Sequence, residues 1–141
     1  MNLPAAIRQQ VVERANQQCE YCGIPQEQTI APHEVDHIRS LKHGGRSETE
    51  NLCLACFYCN SFKGSDIATI DPSTDELVRL FSPRLDRRDE HFRWEMTELV
   101  GRTPVRRGTV TLLQINLPER REHRRLLARF GAFPFSPRPS L

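Results

Sequence analysis

His33-Glu34-Val35-Asp36-His37-Ile38 decides the fold, read together with Cys56-Phe57-Tyr58-Cys59-Asn60-Ser61-Phe62-Lys63. The first stretch reads as a short strand ending in a bend. The second opens on a cysteine pair and runs into a helix. Between them Lys42-His43-Gly44-Gly45 makes a turn, and Asn51 to Ala55 reads as extended or as a single turn. Upstream, Cys19-Glu20-Tyr21-Cys22-Gly23 is a second tight cysteine turn, preceded by a helix from Leu3 to about Gln17 with Pro4 at its first position.

The two C-x-x-C pairs each place two thiolates on one turn. Together Cys19, Cys22, Cys56 and Cys59 complete a closed tetrahedral shell of the kind that binds structural Zn²⁺. In so small a chain such a metal supplies much of the folding energy. Cys53 is left over and reads as a small core residue between Leu52 and Leu54.

Composition excludes other classes. The chain has 141 residues, with 38% hydrophobic and 27% charged residues, which suits one compact domain with an extension. No apolar run approaches the ~18 residues of a membrane span. Met1-Asn2-Leu3-Pro4 has no basic stretch before an apolar block, so no secretory leader is read and a cytoplasmic setting is expected. Charge divides unevenly, −4 up to Pro83 and +6 from Arg84 onward, which favours a polyanion partner.

Inside the cysteine frame, Asp36 and Asn60 offer oxygen ligands to a hard divalent cation, Mg²⁺ or Mn²⁺. His37 is the adjacent group able to take a proton near neutral pH. The amide oxygen of Asn51 is expected to hold the other nitrogen of its ring. Ion, base and base-orienter together describe phosphodiester hydrolysis. Lys63, Arg39 and Lys42 are candidate contacts to nucleic-acid phosphates. His33 reads as a core histidine ahead of a partner to the site residues or a DNA contact, and Phe92 and Trp94 as core rather than base-stacking residues.

The run D-H-I, G-G, N-L, C-x-x-C-N, x-x-K, framed by the upstream C-x-x-C, resembles the HNH endonucleases of the ββα-metal (His-Me finger) superfamily across residues 14–66. Ile70-Asp71-Pro72, Leu80 to Arg84, His91 to Trp94 and Thr103-Pro104 resemble the C-terminal part of small stand-alone bacterial HNH proteins. The resemblance implies His37 as general base, Asn51 as its orienter and Asp36 and Asn60 as ligands of the catalytic ion. It also implies a hairpin and helix around that ion, and products with a 5′-phosphate and a 3′-hydroxyl. Many members carry a proline near the position of Ser40-Leu41, and this chain has none.

The expected class is therefore α+β: a small ββα-metal core with Cys₄ zinc in residues 1–66, and an α/β basic extension over 67–141 packed on it. A soft boundary is placed at 66–72. The extension is expected to hold strands over 77–81 and 91–100, helices over 104–115 and 118–130, and a frayed last ten residues. In the final helix, Arg120, Arg121, Arg124 and Arg125 read equally as a track for phosphates or as a solvated face, with Leu126, Leu127 and Phe130 inward. The expected activity is metal-dependent cleavage of DNA, with RNA left open. The competing reading is a non-catalytic Cys₄ zinc module that binds nucleic acid, which has no need of Asp36, His37, Asn51 and Asn60 together.

Overall fold

The structure is a computed structural model and describes residues 3–88 and 92–136. Helix α1 (Ala5–Arg14) ends earlier than expected. Asn16 and Gln17 take positive φ of 54° and 59°, a conformation that asparagine tolerates and a helix does not. The inward face of α1, with Val11, and Ala15 just beyond it pack on Leu52 and Leu54.

Strand β1 (Glu34–His37) pairs antiparallel with β2 (Leu52–Ala55), which puts Asp36 opposite Cys53 and His37 opposite Leu52. All of β2 is buried, and β1 is not. A partly exposed strand paired to a buried one holds Asp36 and His37 in fixed positions, on opposite faces of the strand, and leaves both partly accessible. Helix α2 (Phe57–Lys63) follows directly, its start capped by Cys56 Sγ accepting from Cys59 N.

The expected boundary at 66–72 is instead the first half of a hairpin. Strand β3 (Ala68–Ile70) pairs with β4 (Leu77–Arg79). The polar residues that looked like punctuation build its turn: buried Asp71 accepts from Ser73 N at 3.1 Å and Thr74 Oγ1 at 2.9 Å. The expected strand over 91–100 is also a hairpin, β5 (Phe92–Glu95) and β6 (Glu98–Gly101), turning at Met96 with φ 55°. His91 and residues 137–141 lie outside the described residues.

Helix α3 (Pro104–Leu112) is capped by Thr103 as its sequence predicts. Gly108 falls where α3 lies on the β3–β4 hairpin; a Cβ there would stand 2.9 Å from Thr69 Cγ2 and 3.0 Å from Val78 Cγ2. Helix α4 (Pro118–Arg129) closes the described chain. Among the described residues there are four helices and three two-stranded sheets, an α+β arrangement. None of these helices is long and apolar enough to cross a membrane.

The main apolar cluster gathers the four cysteines of the pairs with Phe81, Phe92, Leu113 and Leu127, so both sides of residue 66 contribute to it. Charged groups are built into it. Arg106 is 0% exposed, its guanidinium carbon 3.3 Å from the Phe81 ring centroid and 3.9 Å from that of Phe92. Buried Glu20 accepts Leu54 N at 2.8 Å and pairs with Arg84, tying the first cysteine turn to both β2 and the later half.

Candidate active site and metal centre

Cys19, Cys22, Cys56 and Cys59 converge, with their sulfurs all within 4.8 Å of one another and all four buried. A tetrahedral shell with metal–sulfur bonds of about 2.3 Å has edges of about 3.8 Å, and Cys22 Sγ lies 3.7 Å from Cys56 Sγ. The second and fourth cysteine N–H groups reach back to the first sulfur of each pair, both at 3.5 Å. A hydrogen bond from Cys19, with others from the cage, holds the Cys22 thiol well below its ordinary value, while burial pushes Cys59 up. The donor set fits a structural Zn²⁺. Cys53 stands apart from it: burial pushes its thiol up to about 12, and its Sγ lies 3.6 Å from Tyr21 OH.

On β1 the Asp36 side chain is 17% exposed, and its Oδ2 is buried with no hydrogen-bond partner. Burial raises its carboxyl above the ordinary value; the nearby Lys63 ammonium, 3.6 Å from Oδ2, pulls the other way. A carboxylate oxygen so placed fits a ligand for a divalent cation. Asn60 lies on α2, the helix that follows β2, and is half-buried; its backbone is engaged in the helix, and its amide makes no hydrogen bond among the described residues.

The expected contact between Asn51 and the His37 ring is not present. Asn51 Oδ1 accepts Arg39 N at 2.9 Å, and its Nδ2 donates to Arg39 O at 2.9 Å and Arg46 O at 2.8 Å. The amide therefore clamps the two ends of the 39–46 loop. The loop permits this only because Gly45 passes against Arg39, where a Cβ would fall 1.7 Å from the carbonyl oxygen. His37 Nε2 instead meets Ser47 Oγ at 2.9 Å. Sequence reasoning missed Ser47; a serine in a polar loop ten residues away gives no periodic signal.

Lys63 is a second correction. It is 1% exposed and donates to His37 O at 2.9 Å, which removes it from the phosphate-contacting surface and makes it the strut between α2 and β1. Arg39 and Lys42 are exposed on the loop after β1, with Arg39 Nε donating to His43 O at 2.6 Å. His33 is a core histidine, buried with Nε2 2.9 Å from Ile24 O. Phe92 is buried and Trp94 packs against Phe133, as expected of core residues.

The last helix sorts its residues differently from either expectation. Arg120, Arg124 and Leu127 face inward, whereas Leu126 and Phe130 are 50% and 79% exposed. Arg120 Nη2 lies 3.2 Å from Cys59 Sγ and 3.9 Å from Cys56 Sγ. Cavities of about 440 Å³, beside Cys22 and α4, and about 380 Å³, beside Arg39 and Arg79, flank the two sites. Neither is lined by Asp36 or His37, which are both partly buried.

Comparison with known proteins agrees with the sequence resemblance. A stretch of 59 residues, 41% of the chain, is 44% identical to the CRISPR-associated endonuclease Cas9 of Corynebacterium diphtheriae. The stretch spans only 5% of that protein's length. No solved structure matches. Residues 19–66, about a third of the chain and enclosing both cysteine pairs, Asp36, His37, Asn51 and Asn60, match the HNH endonuclease family.

Proposed function

We propose that this chain is a metal-dependent HNH endonuclease that hydrolyses DNA phosphodiester bonds. In this reading β1, β2 and α2 form a ββα-metal core, residues 67–141 pack on it as one unit with it, and Zn²⁺ in the four cysteines is structural. The observation that supports it best is the buried, unbonded Oδ2 of Asp36, next in sequence to His37 and within the stretch matching the family.

Asp36 and Asn60 would hold the catalytic Mg²⁺ or Mn²⁺. When bound, that ion supplies positive charge against the scissile phosphate and the departing 3′ oxygen. The chain's own groups do the rest. With the Nε2 proton donated to Ser47 Oγ, His37 Nδ1 bears the lone pair that takes a proton from the attacking water. The water oxygen bonds to phosphorus as the P–O3′ bond breaks; the O3′ keeps the bonding pair and takes a proton from solvent, leaving a 5′-phosphate and a 3′-hydroxyl. Ser47 is thus a positioning residue for the base, and Asn51 positions the loop that carries Ser47. Lys63 stabilises the Asp36 carboxylate and fixes β1 through the His37 carbonyl. Arg39 and Lys42 grip the DNA backbone beside the cut.

The test is incubation of the zinc-loaded protein with supercoiled plasmid in Mg²⁺, Mn²⁺ or EDTA, beside His37→Ala. Nicking or linearisation that needs the ion and is lost in the variant is expected, with zinc content unchanged. Salt-sensitive DNA binding without cleavage in any metal would overturn the nuclease reading in favour of a zinc binding module.

A further inference from the structure

We infer that Arg120 is the counter-charge of the four-cysteine cage, so that the C-terminal helix and the bound metal hold each other in place. The inference rests on the metal reading of those cysteines. Four thiolates around one divalent cation carry a net charge of −2. Burying such a charge uncompensated is unfavourable, and the remedy is a nearby cation with its own hydrogen bonds satisfied.

Arg120 meets that description. It is 6% exposed, and its fork is divided between two tasks. Nη1 donates to Leu113 O at 2.8 Å and Gln114 O at 3.1 Å, which anchors the guanidinium to the end of α3. Nη2 is left for Cys59 and Cys56. The guanidinium also lies over the Tyr58 ring, 5.2 Å from its centroid, so the second cysteine turn holds it from two sides.

One turn along, Arg124 is 3% exposed and donates only to neutral acceptors: Thr97 O, Ile115 O and Asn116 Oδ1. Neither arginine has a carboxylate partner among the described residues; Glu122 of their helix is paired to Arg125. The cage supplies the negative charge that buried Arg120 requires. A segment 61 residues beyond Cys59 is thereby made part of the metal site.

The experiment uses the full chain loaded with Co²⁺ or Zn²⁺, as wild type, Arg120→Gln and Arg120→Lys. Tetrahedral thiolate bands in the Co²⁺ wild type establish the cage itself, and their absence would sink the metal reading rather than the role of Arg120. With the cage established, Arg120→Gln removes both charge and N–H···S bonds. Its sulfur-to-cobalt charge-transfer band is expected to move to lower energy while the tetrahedral d–d bands persist. Zinc affinity, read by competition with a chromophoric chelator, is expected to fall about 10- to 100-fold. Arg120→Lys keeps the charge and is expected to retain most of the affinity. If Arg120→Gln does not fold, Arg120→Met, uncharged and without an N–H donor, is read in the same way. Unchanged bands and affinity in the uncharged variant, or in Arg120→Lys a loss of affinity as large as in that variant, would overturn the inference.

Discussion

His37 Nε2 lies 2.9 Å from Ser47 Oγ, while Asn51, the residue whose type suggested an orienter, is fully engaged with the backbone of the intervening loop. The orientation of the imidazole thus passes through two steps, an amide that shapes a loop and a hydroxyl that the loop presents.

Ser47→Ala is expected to lower kcat for plasmid cleavage about 10-fold and to leave KM unchanged, because the loss is in the alignment of the base and not in DNA contact. Ser47→Thr restores the hydroxyl and should recover most of the rate. A variant in which KM rises and kcat holds would place Ser47 on the DNA instead.

Gly45→Ala forces the loop away from the Arg39 carbonyl. Displacements of about 1 Å at a catalytic group cost about 10²-fold in rate, and a loss of that order is expected with zinc content and overall fold retained. Circular dichroism and single-turnover cleavage on the same preparation check it.

Lys63→Met leaves the Asp36 carboxylate inside without its cation. Breaking such a pair from one side costs about 3–5 kcal/mol, to be read as a lower urea midpoint. If Asp36 is a ligand of the ion as proposed, Mg²⁺ should restore part of the lost stability by taking the cation's place there.

Arg107 donates twice to Asp71, at 3.0 and 2.8 Å, and those bonds hold the carboxyl at about 2, below its ordinary value of 3.8. A carboxyl lowered on folding adds stability above its unfolded value and loses it as the pH falls through the folded one. Between about pH 4 and pH 2 the β3–β4 turn should therefore weaken, and Asp71→Asn should abolish that part of the acid-unfolding curve. An identical curve in the variant would rule the pair out as its source.

Much of the candidate site was legible because its signals are local. Cysteine spacing brings four sulfurs to one place, and a Thr-Pro cap starts α3 where it should. What the sequence hid was decided by burial. Lys63 and Arg120 look like surface cations by type, yet each lies inside because a specific acceptor awaits it: the His37 carbonyl for one, sulfur and two carbonyls for the other. The two missed hairpins have the same origin. Turns at Asp71–Asp75 and Met96 are set by side-chain hydrogen bonds and a left-handed φ, which composition alone reads as a boundary or as continued strand.

The buried arginines also change what the basic half of the chain means to a polyanion. Thirteen arginines follow Pro83, but Arg106, Arg120 and Arg124 are turned into the interior and displace no counterions from a DNA backbone. The logarithm of DNA affinity should fall against the logarithm of salt concentration with a slope about 3 units shallower than the arginine count implies. Basicity here is partly mortar: cations packed against aromatic rings and sulfur are subtracted from those free to attract a polyanion.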